Sequence, residues 1–105
     1  MTTVVLPDRV LLDRLAAIHE YLLREFPGSV IDSPGDLDSP ATTFRISERR
    51  GRVRYLLTAS REFLYEYPEA RITALLQTWD VAGAMRQFGR RGVWLTASGV
   101  SLEAP

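Results

Sequence analysis

The chain has 105 residues, a formal net charge of zero and no cysteine. With 46% hydrophobic and 25% charged residues it has the composition of an ordinary globular protein, and its length fits one compact domain over residues 1–105. The lack of cysteine excludes disulfides, thiolate nucleophiles and cysteine-ligated metals, and the neutral charge predicts no overall attraction to nucleic acid or to an anionic membrane.

The N-terminal quarter of the chain predicts a short strand followed by a helix. Thr2–Leu6 are β-branched and apolar, which favours a strand. Pro7-Asp8 suits the first turn of a helix, because proline is tolerated there and an acid favours the helix dipole. From Val10 to Phe26 the apolar residues recur at three- and four-residue spacing, which predicts an amphipathic helix. It should end near Phe26, since Pro27-Gly28 follows.

Residues 27–41 form a segment rich in proline and aspartate that predicts a long loop, with a brief strand at Val30 and Ile31. Loops of this length in compact domains tend to be functional or mobile. The acids Asp32, Asp36 and Asp38 lack the order of a calcium-binding loop, so we expect a solvated turn and no metal site.

Residues 42–59 predict a β-hairpin. Phe44 and Ile46 point to one side and Arg45 to the other, Gly51 supplies the turn, and the return strand alternates apolar residues with Arg52 and Arg54.

The second helical region begins after Ser60, a good N-cap. Pro68 should restart it, and a change of the apolar stripe predicts a break near Thr78–Asp80, with Asp80 as a cap. Gly89 ends the last helix, VWLTA makes a strand at 93–97, and the tail 99–105 adds a strand residue or two before fraying.

The order of these elements is β-α-β-β-α-β. It predicts an α+β domain of the ferredoxin-like type, with a four-stranded antiparallel sheet and helices on one face. The tetrapeptide LTAS occurs at 57–60 and again at 95–98. In this arrangement the two copies end the third and fourth strands. Two strand ends of similar sequence are therefore a better explanation of the repeat than an internal duplication.

Arginine supplies all thirteen basic residues, and the chain has neither lysine nor asparagine. A GC-rich bacterial genome explains this usage, and it competes with a functional explanation of the arginines. The guanidinium fork nevertheless suits phosphate and carboxylate. The candidate binding residues are Arg45, Arg49, Arg50, Arg52, Arg54, Arg90, Arg91 and Trp94.

The arginines of the hairpin leave three explanations open. An RNA-recognition motif carries a basic-Gly-aromatic pattern; Arg50-Gly51 matches its start, but Arg52 stands where the first aromatic belongs, so base stacking is lost. Phosphate contact without base readout and docking on an acidic protein remain. A solvated edge that resists aggregation explains the same charges without a partner.

Trp94 should face the open side of the sheet, together with Leu56, if Val93 and Leu95 face the helices. A tryptophan beside arginines is typical of protein interfaces. A symmetric homodimer covering this face is an equal possibility.

Catalysis has little support in the sequence. His19 is the only histidine, no nucleophile is spaced to meet it, and no known catalytic or nucleotide-binding motif is present. We therefore expect a non-catalytic bacterial interaction protein without cofactor or metal, such as a regulator, inhibitor or accessory subunit, that binds a protein partner or itself. The alternative is nucleic-acid binding through phosphate contacts of the 45–54 hairpin.

The expected location is the cytoplasm, with no membrane partner. The longest apolar runs, such as VRYLLTA at 53–59, fall short of the ~20 residues of a spanning helix. The N-terminus also lacks the basic start and apolar stretch of a signal peptide.

Overall fold

The first helix, α1, extends over Asp8–Glu25. The computed structural model describes residues 5–33 and 39–102. The buried side chains of α1 include Leu11, Leu15, Ile18 and Leu22, which follow the predicted spacing. The helix ends one residue before Phe26, where Pro27 disfavours helical geometry in the residue before it.

No strand precedes α1 in the described part of the chain. Val5 and Leu6 have no regular secondary structure, so the predicted strand is wrong for these two residues. Thr2–Val4, which belong to the same prediction, lie outside the described residues, as do Asp36 and Asp38 of the loop.

After α1 the chain forms three strands, then three helices and a 3-10 turn, then two further strands. They are β1 (Val30–Asp32), β2 (Ala41–Ser47), β3 (Val53–Ser60), α2 (Arg61–Glu66), α3 (Glu69–Thr78), α4 (Val81–Phe88), a 3-10 turn (Gly89–Arg91), β4 (Val93–Thr96) and β5 (Gly99–Ser101). The brief strand predicted around Val30 and Ile31 is confirmed as β1, and the strand residues predicted in the tail form β5.

The sheet is mixed and has the strand order β1-β2-β3-β4-β5 within the described residues. β1, β2 and β3 are antiparallel neighbours, β3 pairs with β4 in parallel, and β5 returns antiparallel to β4. The α+β class is confirmed, and a Cα radius of gyration of 13.2 Å is that of a compact domain of this length, about 13 Å.

The prediction of a ferredoxin-like, four-stranded antiparallel sheet is wrong. That arrangement requires a strand before the first helix to separate β3 from β4, and Val5 and Leu6 form none. β4 instead lies directly against β3, and α2–α4 form the long connection that a parallel pair of strands requires.

The predicted breaks in the second helical region are confirmed by their caps. The Ser60 hydroxyl accepts a hydrogen bond from the Phe63 amide at 3.1 Å, which caps α2. The Asp80 carboxylate accepts from the Gly83 amide at 3.2 Å at the start of α4. α3 begins directly after Pro68, because this residue is extended and fixes the entry to the helix.

One continuous core lies between the helices and one face of the sheet. Phe44, Ile46, Leu57 and Leu95 project from the strands into it and are fully buried. The buried hydroxyl of Tyr21 accepts a hydrogen bond from the Ala82 amide at 3.0 Å, which joins α1 to α4. Burial raises the pKa of the Tyr21 phenol above its ordinary value. None of the described helices combines the length and the apolar character needed to cross a membrane.

Two buried threonines, Thr42 on the core side of the sheet and Thr58 on the opposite side, allow a test of buried hydroxyl groups. The Thr42 hydroxyl has no hydrogen-bond partner among the described residues, whereas the Thr58 hydroxyl lies 3.0 Å from that of Thr43. A buried, unpaired hydroxyl costs roughly 1–3 kcal/mol of desolvation. We expect Thr42→Val to raise the free energy of unfolding by about 1 kcal/mol and Thr58→Val to lower it by a similar amount, as measured by urea denaturation. Destabilisation by Thr42→Val would show that its hydroxyl is satisfied.

Candidate protein-binding surface

The face of the sheet opposite the core carries a half-buried tryptophan. Along each strand the residues between the buried ones point to this second face. The register places Thr43, Thr58 and Trp94 in one row across β2, β3 and β4, and Arg45 beside Leu56 in the next. The prediction that Trp94 and Leu56 lie opposite the core is confirmed. We call Thr43, Arg45, Leu56, Thr58, Trp94 and Thr96 the open sheet face.

The predicted arginines fall into three places. Arg45 lies on the open sheet face, and Arg54 lies on β3 at the irregular step of the register, between Val53, which pairs with Ser47, and Tyr55, which pairs with Ile46. Arg49, Arg50 and Arg52 lie in the β2–β3 turn and are exposed. Arg90 and Arg91 lie in the 3-10 turn that enters β4 and are also exposed.

The β2–β3 turn is closed by backbone hydrogen bonds. The Glu48 amide donates to the Arg52 carbonyl at 2.8 Å, and the Gly51 amide donates to the Glu48 carbonyl at 2.8 Å. Gly51 has a φ of 89°, which glycine adopts readily, so its predicted role in the turn is confirmed. The backbone that carries the turn arginines is therefore fixed by these hydrogen bonds.

The structure joins the 3-10 turn to the hairpin. Arg90 Nε donates a hydrogen bond to the carbonyl of Val53, the first residue of β3, at 3.2 Å. Gly92 follows and packs against Leu56 of the open sheet face. We call Arg49, Arg50, Arg52, Arg54, Arg90 and Arg91 the arginine end of the sheet.

Glu48 is paired with one of these arginines. Its Oε1 atom accepts a hydrogen bond from Arg54 Nη1 at 2.6 Å. This contact raises the pKa of the exposed Arg54 guanidinium above its ordinary value. The Arg54 guanidinium also lies 5.8 Å from the centre of the Tyr55 ring. Arg54 is therefore held in place, while the turn arginines extend into solvent.

The two LTAS segments have different structural roles. In the first, Thr58 bonds across the sheet to Thr43 and Ser60 caps α2. In the second, the Thr96 hydroxyl donates to the Gly99 carbonyl at 3.0 Å and accepts from the Ser98 amide at 3.2 Å. The strand register also pairs Leu57 with Val93 rather than with the second LTAS leucine. The second copy forms a hairpin turn, so the repetition carries no shared site.

Asp32 also belongs to this part of the sheet and was not among the sequence-predicted site residues. It ends β1 and lies directly across from Arg45. Its position depends on the pairing of a three-residue strand, which lies inside the segment that the sequence predicts to be a loop. The alternation of Val30 and Ile31 with Asp32 is too short to predict that pairing from sequence.

Other features of the described residues lie elsewhere. No group of three or more histidine, aspartate or glutamate side chains that could hold a metal ion occurs among residues 5–33 and 39–102. A cleft of about 480 Å³ lies between α1, α2 and the segment before β2, with Asp8, Ser39 and Arg61 in its wall. None of the sequence-predicted site residues lines this cleft.

Comparison with known proteins provides no further assignment: no protein-family model, no curated protein and no solved structure matches this chain at a significant level.

Proposed function

We propose that this chain is a non-catalytic bacterial protein of the cytoplasm that binds another protein, with the open sheet face and the arginine end as its binding surface. The partner presents an acidic surface with an apolar centre. A regulator, an inhibitor or an accessory subunit would act in this way.

One observation carries the proposal. Trp94 and Leu56, both half-buried, share the sheet face opposite the core with the exposed Arg45, and this face adjoins the arginine end. Interfaces commonly combine a central aromatic or aliphatic anchor with arginines and a polar rim. Here the half-buried Thr43 adds polar surface in the row of Trp94, and the arginines supply charge at one end.

A protein partner is favoured over nucleic acid by the acids within the surface. Glu48 pairs with Arg54, and Asp32 lies across from Arg45, so two of the arginines adjoin carboxylates that would repel phosphate. An apolar anchor such as Leu56 also gains more from a protein surface than from a phosphate backbone. Nucleic-acid binding is therefore the alternative that the experiment below must distinguish from protein binding.

The experiment that tests the proposal is affinity capture from a bacterial lysate, followed by titration of the identified partner. We expect Arg52→Glu combined with Arg54→Glu to weaken binding at least about tenfold, because like charges across an interface repel. The matched control is Arg9→Glu combined with Arg24→Glu on the exposed side of α1, which makes the same charge change. The melting temperatures should change little, since all four arginines are exposed and the ion pair that is lost, Arg54 with Glu48, is a surface pair.

Equal loss of binding in the two double variants would contradict the proposal, because the effect would then depend on net charge alone. Titration of random-sequence DNA and RNA at two salt concentrations provides the second measurement. Micromolar binding that collapses with salt would replace the protein partner with a phosphate backbone, because counterion release makes such binding steeply salt-dependent.

A further inference from the structure

The sheet carries charge of mainly one sign. Its strands, the β2–β3 turn and the 3-10 turn contain seven of the thirteen arginines, namely Arg45 and the six residues of the arginine end. The acids of the same segments are Asp32 and Glu48. Because the whole chain has a formal net charge of zero, the rest of the chain is net acidic. The local positive charge of the sheet favours an acidic partner.

This charge lies at one end of the strands. The arginine end is made of the β2–β3 turn, the start of β3 and the 3-10 turn that precedes β4. At the other end of these two strands, residues 58–60 and 96–98 are uncharged. Arg61 follows Ser60, but it is half-buried and donates a hydrogen bond to the Ser39 carbonyl. The open sheet face is therefore charged asymmetrically along its strands.

The large apolar side chains of the open sheet face lie at a definite distance from this charge. Leu56 is three residues from Val53, the first residue of β3, and Thr58, in the row of Trp94, is five residues from it. At ~3.3 Å per residue, these positions lie ~10 Å and ~17 Å from the start of the strand. A partner that contacts both features needs an apolar group and an acidic group separated by this distance.

Most of these arginines can bind a carboxylate without losing an existing contact. Arg54 is bonded to Glu48, and Arg90 is bonded to the Val53 carbonyl. The others are exposed and belong to neither of the two ion pairs found within residues 5–33 and 39–102; they are Arg45, Arg49, Arg50, Arg52 and Arg91. Each guanidinium has a fork of donors that matches a carboxylate. Exposed pairs of this kind raise the rate of association and are weakened by salt.

From this arrangement we propose that the partner contacts the surface through a protein segment with two parts. An apolar side chain packs against Leu56 and Trp94, and a short run of glutamate or aspartate side chains lies ~10–17 Å away along the strands, at the arginine end. This inference rests on the proposed function, because it uses the same surface. The acidic run increases the association rate, and the apolar contact determines how long the complex lasts.

Fluorescein-labelled synthetic peptides test the two parts without the natural partner. The linked peptide joins Leu-Phe to three glutamates through a Gly-Ser spacer of about four residues, whose root-mean-square length is ~11 Å. The two parts are also made as separate peptides. Fluorescence anisotropy at low salt should show the linked peptide binding at least about tenfold more tightly than either part, because the second contact becomes intramolecular. A peptide without the spacer should bind about threefold more weakly than the linked peptide, since its glutamates reach at most ~10 Å from the anchor.

Variants of the protein assign each part of the peptide to its place on the surface. Trp94→Ala should reduce the affinity for the linked peptide to that of the glutamate part alone. Arg49→Glu combined with Arg52→Glu should reduce it to that of the Leu-Phe part, and both arginines are exposed, so the fold is retained. Arg9→Glu combined with Arg24→Glu is the matched charge control and should bind within about twofold of the unmodified protein. Added salt should weaken binding of the glutamate part and leave that of Leu-Phe unchanged.

A linked peptide that binds no more tightly than its separate parts would overturn the proposal. So would unchanged affinity of the linked peptide for the Trp94→Ala variant, or an equal loss of affinity in the two double variants. Displacement of the linked peptide by hexathymidylate at a lower concentration than by hexaglutamate would also overturn it, in favour of phosphate. Capture of a protein partner that depends on Arg52 and Arg54 would support the proposed function even if the peptides fail, so the two proposals can fail separately.

Discussion

Replacing Trp94 with alanine is expected to weaken partner binding by about 30- to 1000-fold, which corresponds to ~2–4 kcal/mol for an interfacial anchor. Trp94 lies in the row of Thr43 and Thr58 on the open sheet face, and its ring supplies the largest apolar area there. Isothermal titration calorimetry with the captured partner measures the change. Since Trp94 is only half-buried, the melting temperature should fall by no more than about 4–8 °C, which is ~1 kcal/mol for a domain of this size.

Trp79 provides the matched control for Trp94. It is also half-buried, but it lies on the helical side of the core, with its ring centre 5.9 Å from that of Phe63 and 5.7 Å from that of Tyr67. Trp79→Ala should lower the free energy of unfolding by about 2 kcal/mol through lost ring packing. Partner affinity should remain within about twofold, provided that the titration is run below the melting transition. Unchanged partner affinity in the Trp94→Ala variant would show that the open sheet face does not bind the partner.

The helices of this protein are largely determined by local sequence. The buried spacing of α1, the cap supplied by Ser60 and the break before Asp80 each depend on residues within a few positions of one another. Such features can be predicted because helical hydrogen bonds and caps are short-range. The bounds of α1 and the starts of α2 and α4 follow from them.

The sheet topology depends on contacts that no local pattern encodes. Val5 and Leu6 resemble a strand in composition, yet they have no regular structure. The parallel pairing of β3 with β4 joins residues 57–59 to residues 93–95 across α2–α4. Strand propensity depends on the residues of one segment alone. Strand pairing depends on which other strand the segment lies beside when their apolar faces are buried together.

The binding surface was predictable only in part for the same reason. Alternation along β4 places Trp94 opposite Val93 and Leu95, so its face follows from sequence once Val93 and Leu95 are taken as buried. The hydrogen bond from Arg90 to the Val53 carbonyl does not follow, because it depends on the long-range approach of the 3-10 turn to β3. Asp32 was missed because β1 becomes a strand only through its pairing with β2.

Gly92→Ala is expected to lower the free energy of unfolding by about 3 kcal/mol. Gly92 has φ 78° and ψ 164°, a conformation that is essentially restricted to glycine and costs other residues ~1–3 kcal/mol. A Cβ at this position would also lie 3.2 Å from Leu56 Cβ, so Leu56 would have to shift by a few tenths of an ångström. Urea denaturation measures the loss.

Gly28→Ala separates backbone strain from steric contact. Gly28 has a φ of 81°, close to that of Gly92, but a Cβ there would meet no atom within 4 Å. It should therefore cost only about 1–2 kcal/mol, the strain of the left-handed backbone. Because Gly92 joins the Arg90 turn to Trp94, its substitution should also weaken partner binding under conditions where the variant is folded, whereas Gly28→Ala should not. Equal destabilisation by the two substitutions would show that contact with Leu56 adds nothing to the cost of Gly92→Ala.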